Sequence, residues 1–470
     1  FSSVTTNDQL DWVVLINNPA NWTAHTNNSG YFGSAAYALY NSTSCSTMTI
    51  ATDLHTAGVW TGATDTNWFN CSNWDTLKVP DQNTNVLLSS AKATQEAVIS
   101  STATDATLYG NIAKTNNLTI SAEKVEIVNS GTTNILEVHG DLLIDNSGAL
   151  DMNVGGTTNA HIKLYGNWTN NVGNIAFDEG QGTVTFTGTT PQIISNVTPE
   201  GTETFGNLIL NNNFDTSVSN NIIAKGNLTI NTGRTLTITA DDYAEVTNSV
   251  FNNGTFNILN DGSLVQINDL GVNTGNISYE RITTGAALDY VYWSSPVNGV
   301  STPASGYNYT WNTTVANPNG GQGNWVSATN TAMQPALGYI MRGVLNRNFI
   351  GLPRNGVYTP TIARGSDIGA GSTGPNGIMR LATDDNWNLL GNPYPSAISI
   401  NSFLTANTQL DGFVRLWTHG TLPSTAIADP FYDNFVSNYT ASDYVAINGA
   451  GATSGPGTLS VIGAGQGFFV

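Results

Sequence analysis

Asn117-Leu118-Thr119-Ile120, Gly140-Asp141-Leu142-Leu143-Ile144, Gly166-Asn167-Trp168-Thr169, Gly206-Asn207-Leu208-Ile209-Leu210, Gly226-Asn227-Leu228-Thr229-Ile230 and Gly254-Thr255-Phe256-Asn257-Ile258 are versions of one short phrase. Most successive copies lie roughly 20 to 28 residues apart, with one gap near twice that, the spacing of one copy per coil in a stacked β-structure. Apolar residues fall at every second position in Leu236-Thr237-Ile238-Thr239, Val184-Thr185-Phe186-Thr187 and Leu118-Thr119-Ile120. A period of two places them on one face of a strand, and the intervening β-branched threonines suit the other face. A helix would scatter the same side chains around its circumference. Between these runs stand Asn146-Ser147-Gly148, Asn231-Thr232-Gly233, Asn253-Gly254 and Asp261-Gly262, residue types that adopt left-handed backbone angles and turn corners at low steric cost. One coil cannot bury its inner face alone, so stacking on its neighbours must stabilise it. The reading is all-β, a parallel β-solenoid (β-helix) over residues 98–275.

Composition agrees. Charged residues make up 10% of the 470-residue chain and glycines number 48, an uncommon balance for a cytosolic enzyme and a familiar one for exported all-β proteins. With 14 Lys plus Arg against 33 Asp plus Glu, the net charge of −19 repels polyphosphate and anionic lipid, so nucleic acid is not an expected partner. Nor does the sequence hold an apolar run of the roughly 18 residues that membrane insertion by a helix requires. The chain opens at Phe1 without a methionine, and a preceding segment is expected.

The two cysteines, Cys45 and Cys71, either close a loop as a disulfide, worth on the order of 3 kcal/mol by chain entropy, or stand as two separate buried thiols. Two Cys without a His pair lack the ligand set that zinc needs.

In chain order, residues 1–58 read as a small β-rich piece with a buried strand at Asp11–Ile16. Residues 59–97 carry Trp60, Trp68 and Trp74 and read as a cap that protects the open end of the stack; the competing reading is a platform for sugar rings. Residues 276–470 repeat themselves. Tyr292-Trp293-Ser294-Ser295-Pro296-Val297 aligns with Leu389-Leu390-Gly391-Asn392-Pro393-Tyr394, Tyr309-Thr310-Trp311 with Arg415-Leu416-Trp417, and Gly338-Tyr339-Ile340-Met341 with Gly467-Phe468-Phe469-Val470. Two strand-rich copies separated by Gly/Ser/Pro turns imply a β-sandwich-like module. The first copy continues through Phe349 and Ile362, the second stops at Val470, and further sequence is expected beyond it.

The pattern Trp60-x-Gly62, Trp68, Asn73-Trp74, Val79-Pro80 followed by Asn-Leu-Thr-Ile coils, together with Asn386-Trp387-Asn388-Leu389-Leu390-Gly391-Asn392-Pro393 and Gly465-Gln466-Gly467-Phe468-Phe469, resembles the large secreted surface proteins of Bacteroidota exported by the type IX secretion system. The resemblance covers the chain from about residue 59 onward. It implies an extracellular, cell-surface location, with the secretion machinery or outer-membrane anchoring proteins as partners and roles in cell adhesion or gliding motility. That family's sorting domain is not visible here. Asp75-Thr76-Leu77 resembles its O-glycosylation pattern, which would place a glycan on Thr76.

Motifs of catalysis are missing from the sequence. His25, His55, His139, His161 and His419 lie far apart without metalloprotease spacing, and neither a Gly-x-Ser-x-Gly elbow nor a phosphate loop occurs. Asp178-Glu179, Asp241-Asp242 with Glu245, and Asp261 with Asp269 read as corner residues and not as paired glycosidase acids. Lys114, Lys124, Lys163, Lys225 and Arg234 are scattered. Asp384, Asp385, Asp429 and Asp433 offer hard oxygens for calcium, the one cofactor considered. Trp311, Trp325 and Trp417 are the glycan-stacking candidates. The functional expectation is a non-enzymatic adhesin or structural stalk; the alternative is a polysaccharide-degrading or glycan-binding protein built on a β-helix.

Overall fold

The computed structural model describes residues 22–24, 38–41, 47–49, 57–76, 78–89, 95–103, 105–128, 134–154, 160–197, 202–215, 221–316, 322–366, 371, 386–418, 421, 424–426, 440, 443–452 and 459–470. The chain divides into two compact units, Phe1–Leu236 with Glu245–Thr247, and Thr237–Ala244 with Asn248–Val470.

The first unit opens with a short antiparallel meander, Trp22–Ala24, Ala38–Asn41 and Thr47–Thr49, and continues as a parallel solenoid with three walls. The first wall stacks Ile112–Thr115, Asn134–Val138, Ala160–Leu164, Thr183–Phe186, Asn207–Leu210 and Leu228–Ile230. A second wall stacks Ala57–Val59, Asn85–Leu88, Leu118–Ile120, Leu142–Ile144, Trp168–Asn170 and Ile194–Asn196. The third stacks Ala97–Ile99, Lys124–Ile127, Ala149–Asp151 and Phe177–Asp178. Inward positions pile up in register: Leu118, Leu142, Trp168 and Ile194 form one column, all fully buried. The threonines between them are only partly covered, as the alternation requires.

The Gly-Asn/Asp-Leu phrase owes its composition to a side-chain ladder. Asn117 Oδ1 accepts the Asp141 N–H at 2.8 Å, Asp141 Oδ1 accepts that of Asn167 at 2.7 Å, and Asn167 Oδ1 accepts that of Ile193 at 2.9 Å. Each rung joins neighbouring coils 24 to 26 residues apart and satisfies a corner amide that the strand pairing leaves open. Glycine precedes the rung because the space is taken. A Cβ at Gly140 would stand 2.0 Å from Asn117 Oδ1, and one at Gly166 2.3 Å from the Gly140 carbonyl.

The six phrases do not share one column. The first three belong to the second wall, whereas Leu208 and Leu228 stack on Val184 in the first wall, where Asn207 Oδ1 accepts the Asn227 N–H at 3.0 Å. The phrase encodes a tight Gly-Asn corner and not a particular wall. The double gap in its spacing is the coil Thr183–Asn196, where Pro191-Gln192-Ile193 stands instead. Gln192 closes that corner, accepting the Gly188 N–H at 2.8 Å and donating to the carbonyls of Leu164 and Gly166.

Between Ile194 and Asp215 the coil exchanges two faces. The second and third walls end at Ile194–Asn196 and Phe177–Asp178, and Glu203–Phe205 begins a new wall on which Ile222–Ala224 lies parallel. The inner column that reads Ile120, Ile144 becomes Asn170, Asn196 at this seam. Trp168, Phe177, Phe186, Phe205 and Phe214 pack edge to face around it, with centroids 4.8 to 6.1 Å apart. At the other end, Trp60, Trp68 and Trp74 are buried and pack edge to face at 5.0 and 4.8 Å. The Trp60 indole donates to Gln95 O and that of Trp74 to Trp68 O. These buried rings offer no face to a sugar.

In the second unit, Thr255–Ile258 pairs in parallel with Ile277–Ile282, whose other edge pairs antiparallel with Asn346–Gly351 over six residues. One strand thus ends the parallel stack and starts the antiparallel region. Two sheets follow, in the orders Tyr290–Trp293, Tyr339–Arg342, Asn308–Ala316, Gln322–Ser327 and Leu389–Gly391, Gly467–Phe469, Val414–Trp417, Tyr444–Asn448, Gly451–Ala452. Segments aligned in the sequence occupy equivalent strands. The helix Ile400–Ala406, capped by the Ser399 hydroxyl, packs Ile400 and Leu404 into the second copy's core.

Candidate functional site

Polar groups on the coils are matched to one another. Glu137 stands in register between Lys114 and Lys163, at 3.9 and 3.1 Å, with His139 at 3.6 Å. Lys124 bonds Glu126 and lies within 3.7 Å of Glu96 and Asp151. Lys225 bonds Glu179 at 2.6 Å. Asp241 and Asp261 sit at corners with φ of 66° and 67°, and Asp261 bonds Arg281 at 2.8 Å. Among the described residues no group of three or more His, Cys, Asp or Glu side chains could hold a metal ion. Glu137, Glu96, Glu126, Asp151 and Glu179 are each engaged by a lysine.

Convergence occurs in the second unit, where the aromatic rows of the duplicated sheets meet on Phe469. Tyr292, Trp311, Trp387, Trp325 and Tyr444 surround that ring with centroids 5.7, 5.8, 5.9, 6.0 and 6.3 Å away. Trp311 and Trp325 stand edge to face at 5.1 Å and 77°, and the Arg415 guanidinium lies 4.5 Å over Trp387. The Tyr292 and Tyr444 hydroxyls hydrogen-bond each other. Crossed rings interlock and stiffen the junction; they do not form the coplanar row on which a sugar chain lies flat.

Beside this cluster is a cleft of about 310 Å³, walled by Trp417 and Tyr292 and bordered by Arg281, Thr284, Thr418 and Gln466. Trp417 sits 5.8 Å from Tyr292 at 33° and edge-on to Tyr444 at 4.8 Å. Arg281 uses Nη1 for Asp261. Gln466 Oε1 accepts the Gly463 N–H at 2.9 Å, and the Thr418 hydroxyl donates to Asp443 O at 2.8 Å. The cleft thus combines an aromatic wall with neutral or charge-balanced hydrogen-bonding groups.

Of the stacking candidates, Trp311, Trp325 and Trp417 all reach the same cluster, half-buried, and only Trp417 lines the cleft. Tyr292, Phe469, Arg281 and Gln466 are not among the site candidates that the sequence offers. The internal repeat carried the signal, since it pairs Trp311 with Trp417 on equivalent strands. Asp384, Asp385, Asp429, Asp433 and Cys45 lie outside the described residues. Cys71 is buried, and Thr76 occupies a half-exposed turn, its hydroxyl 3.4 Å from Lys78 O.

The fold and its cleft define a β-solenoid protein carrying a duplicated antiparallel β module. The chain belongs to the family described as a domain of unknown function (DUF8693), whose model matches residues 194–470. No curated protein and no solved structure matches the chain. The matched stretch begins at Ile194, in the last strand of the second wall, and so takes in the coils after the seam and both copies of the module.

Proposed function

We propose that this is a non-enzymatic secreted protein of the cell surface, in which the solenoid is a structural stalk and the duplicated module is the part held out for adhesion. The observation that carries this reading is the pairing of Lys114, Lys124 and Lys163 with carboxylates of neighbouring coils, and of Lys225 with one two coils away. Such pairing spends polar chemistry on holding coils together, whereas a lyase or hydrolase needs a base and an acid left facing a substrate. Export by the type IX route, with outer-membrane anchoring proteins as partners, belongs to the same proposal.

Two measurements test it. A membrane-impermeant label applied to intact producing cells is expected to reach the protein, and cells lacking its gene should attach less well to surfaces; a protein confined to the cell interior would sink the proposal. Purified chain incubated with polysaccharides should release no reducing ends and no unsaturated products. Release that Glu137→Gln or Glu179→Gln abolishes would favour the enzyme reading instead.

A further inference from the structure

The cleft beside the aromatic cluster is bordered by segments that are distant in sequence. Arg281 is the penultimate residue of the strand that ends the parallel stack, Thr284 lies in the exposed stretch after it, Trp417 ends a strand of the second copy, and Gln466 precedes the last strand. With the strand that holds Tyr292, four segments of the second unit thus border one opening of about 310 Å³. That volume is at the small end of ligand sites, which bind through an apolar wall and a few placed polar groups.

The chemistry of the lining selects among ligands. An indole and a phenol ring supply an apolar wall. Arg281 has five N–H donors, of which one is committed to Asp261 at 2.8 Å. Gln466 engages its oxygen with Gly463, which leaves its amide nitrogen to donate. Thr418 donates its hydroxyl proton to Asp443 O and keeps its lone pairs to accept. A flat ring with apolar C–H groups on its faces and hydroxyls around its rim meets all of these demands. An anion meets a poorer reception, because the Arg281 charge is balanced by Asp261 and the chain carries a net charge of −19. We infer that the cleft binds a single sugar unit of a neutral polysaccharide, stacked on Trp417 and hydrogen-bonded by Arg281, Gln466 and Thr418. The inference deepens the adhesion reading by naming what the displayed module holds.

Native electrophoresis of the full chain through gels containing laminarin, galactomannan, xylan or dextran, with alginate as the anionic comparison, tests this. At least one neutral polymer is expected to retard the chain. Trp417→Ala should weaken that retardation about tenfold, the scale of one lost aromatic contact. Thr284→Trp, a substitution at an exposed position that fills the opening, should do the same with the melting temperature unchanged, so the test survives if Trp417→Ala disturbs the fold. No retardation by any neutral polymer, retardation by alginate alone, or retardation that Thr284→Trp leaves intact would overturn the inference. The purified chain is assayed without cells, so a protein that binds sugar through this cleft but is absent from the cell surface defeats the display proposal alone. A surface protein without sugar retention defeats only the cleft.

Discussion

Glu203 is 1% exposed at the seam where the coil changes faces. Its Oε2 accepts the Trp168 indole N–H at 2.8 Å and the Asn170 amide at 2.9 Å. Burial pushes its carboxyl above the ordinary value of 4.5, and hydrogen bonds from Asn170, Trp168, the Thr204 N–H and Asn196 offset part of that rise. A carboxyl that holds its proton more tightly folded than unfolded contributes its stability fully below the unfolded value and loses it as pH rises through the folded one. In thermal melts the wild type should therefore lose stability relative to Glu203→Gln as pH climbs above 4.5, and parallel curves would refute this. Glu203→Leu removes the acceptor of the buried Trp168 indole and is expected to cost about 1–3 kcal/mol in denaturant unfolding below pH 4.5, and less as pH rises.

At the level of elements, the corner ladder and the aromatic hub make separate demands. Gly166→Ala drives a methyl into the Gly140 carbonyl and Asp141 Oδ1, 2.3 and 2.5 Å away. Backbone must shift and the Asp141-to-Asn167 rung must open, so unfolding free energy should fall by about 1–3 kcal/mol; an unchanged denaturation midpoint would show that the corner has slack. Phe469→Ala empties the point on which five aromatic rings converge. It should destabilise the second unit by about 3–5 kcal/mol and flatten the near-ultraviolet circular dichroism, while the far-ultraviolet β signal from the coils persists.

For the molecule as a whole, the sequence was most legible where a local rule repeats. Alternating Leu-Thr-Ile and the Asn/Gly corners specify strands, their direction of burial and the parallel stack, because each rule spans only a few residues. The exchange of walls near Glu203 could not be read, since a Gly-Asn corner looks the same whichever faces it joins. The repeat in residues 276–470 revealed two equivalent sheets, and Trp311 and Trp417 do lie on matching strands. Their difference in role, one interlocked and one walling a cleft, depends on Arg281 and Gln466, which are distant from each other in sequence. The tryptophans of residues 59–97 left cap and platform open on sequence grounds, and burial decides against the platform.

The stacking of coils also determines how this chain gives way under load. Hydrogen bonds between successive strands run along the stack, so a force pulling the ends apart along that direction opens them a few at a time instead of shearing them together. Each coil released between rungs is 20 to 26 residues, which at full extension lengthens the tether by roughly 70–90 Å. Pulled in an optical trap, the solenoid should pay out chain in a series of small, similar steps at modest force, a built-in shock absorber for anything that must stay attached in flowing water.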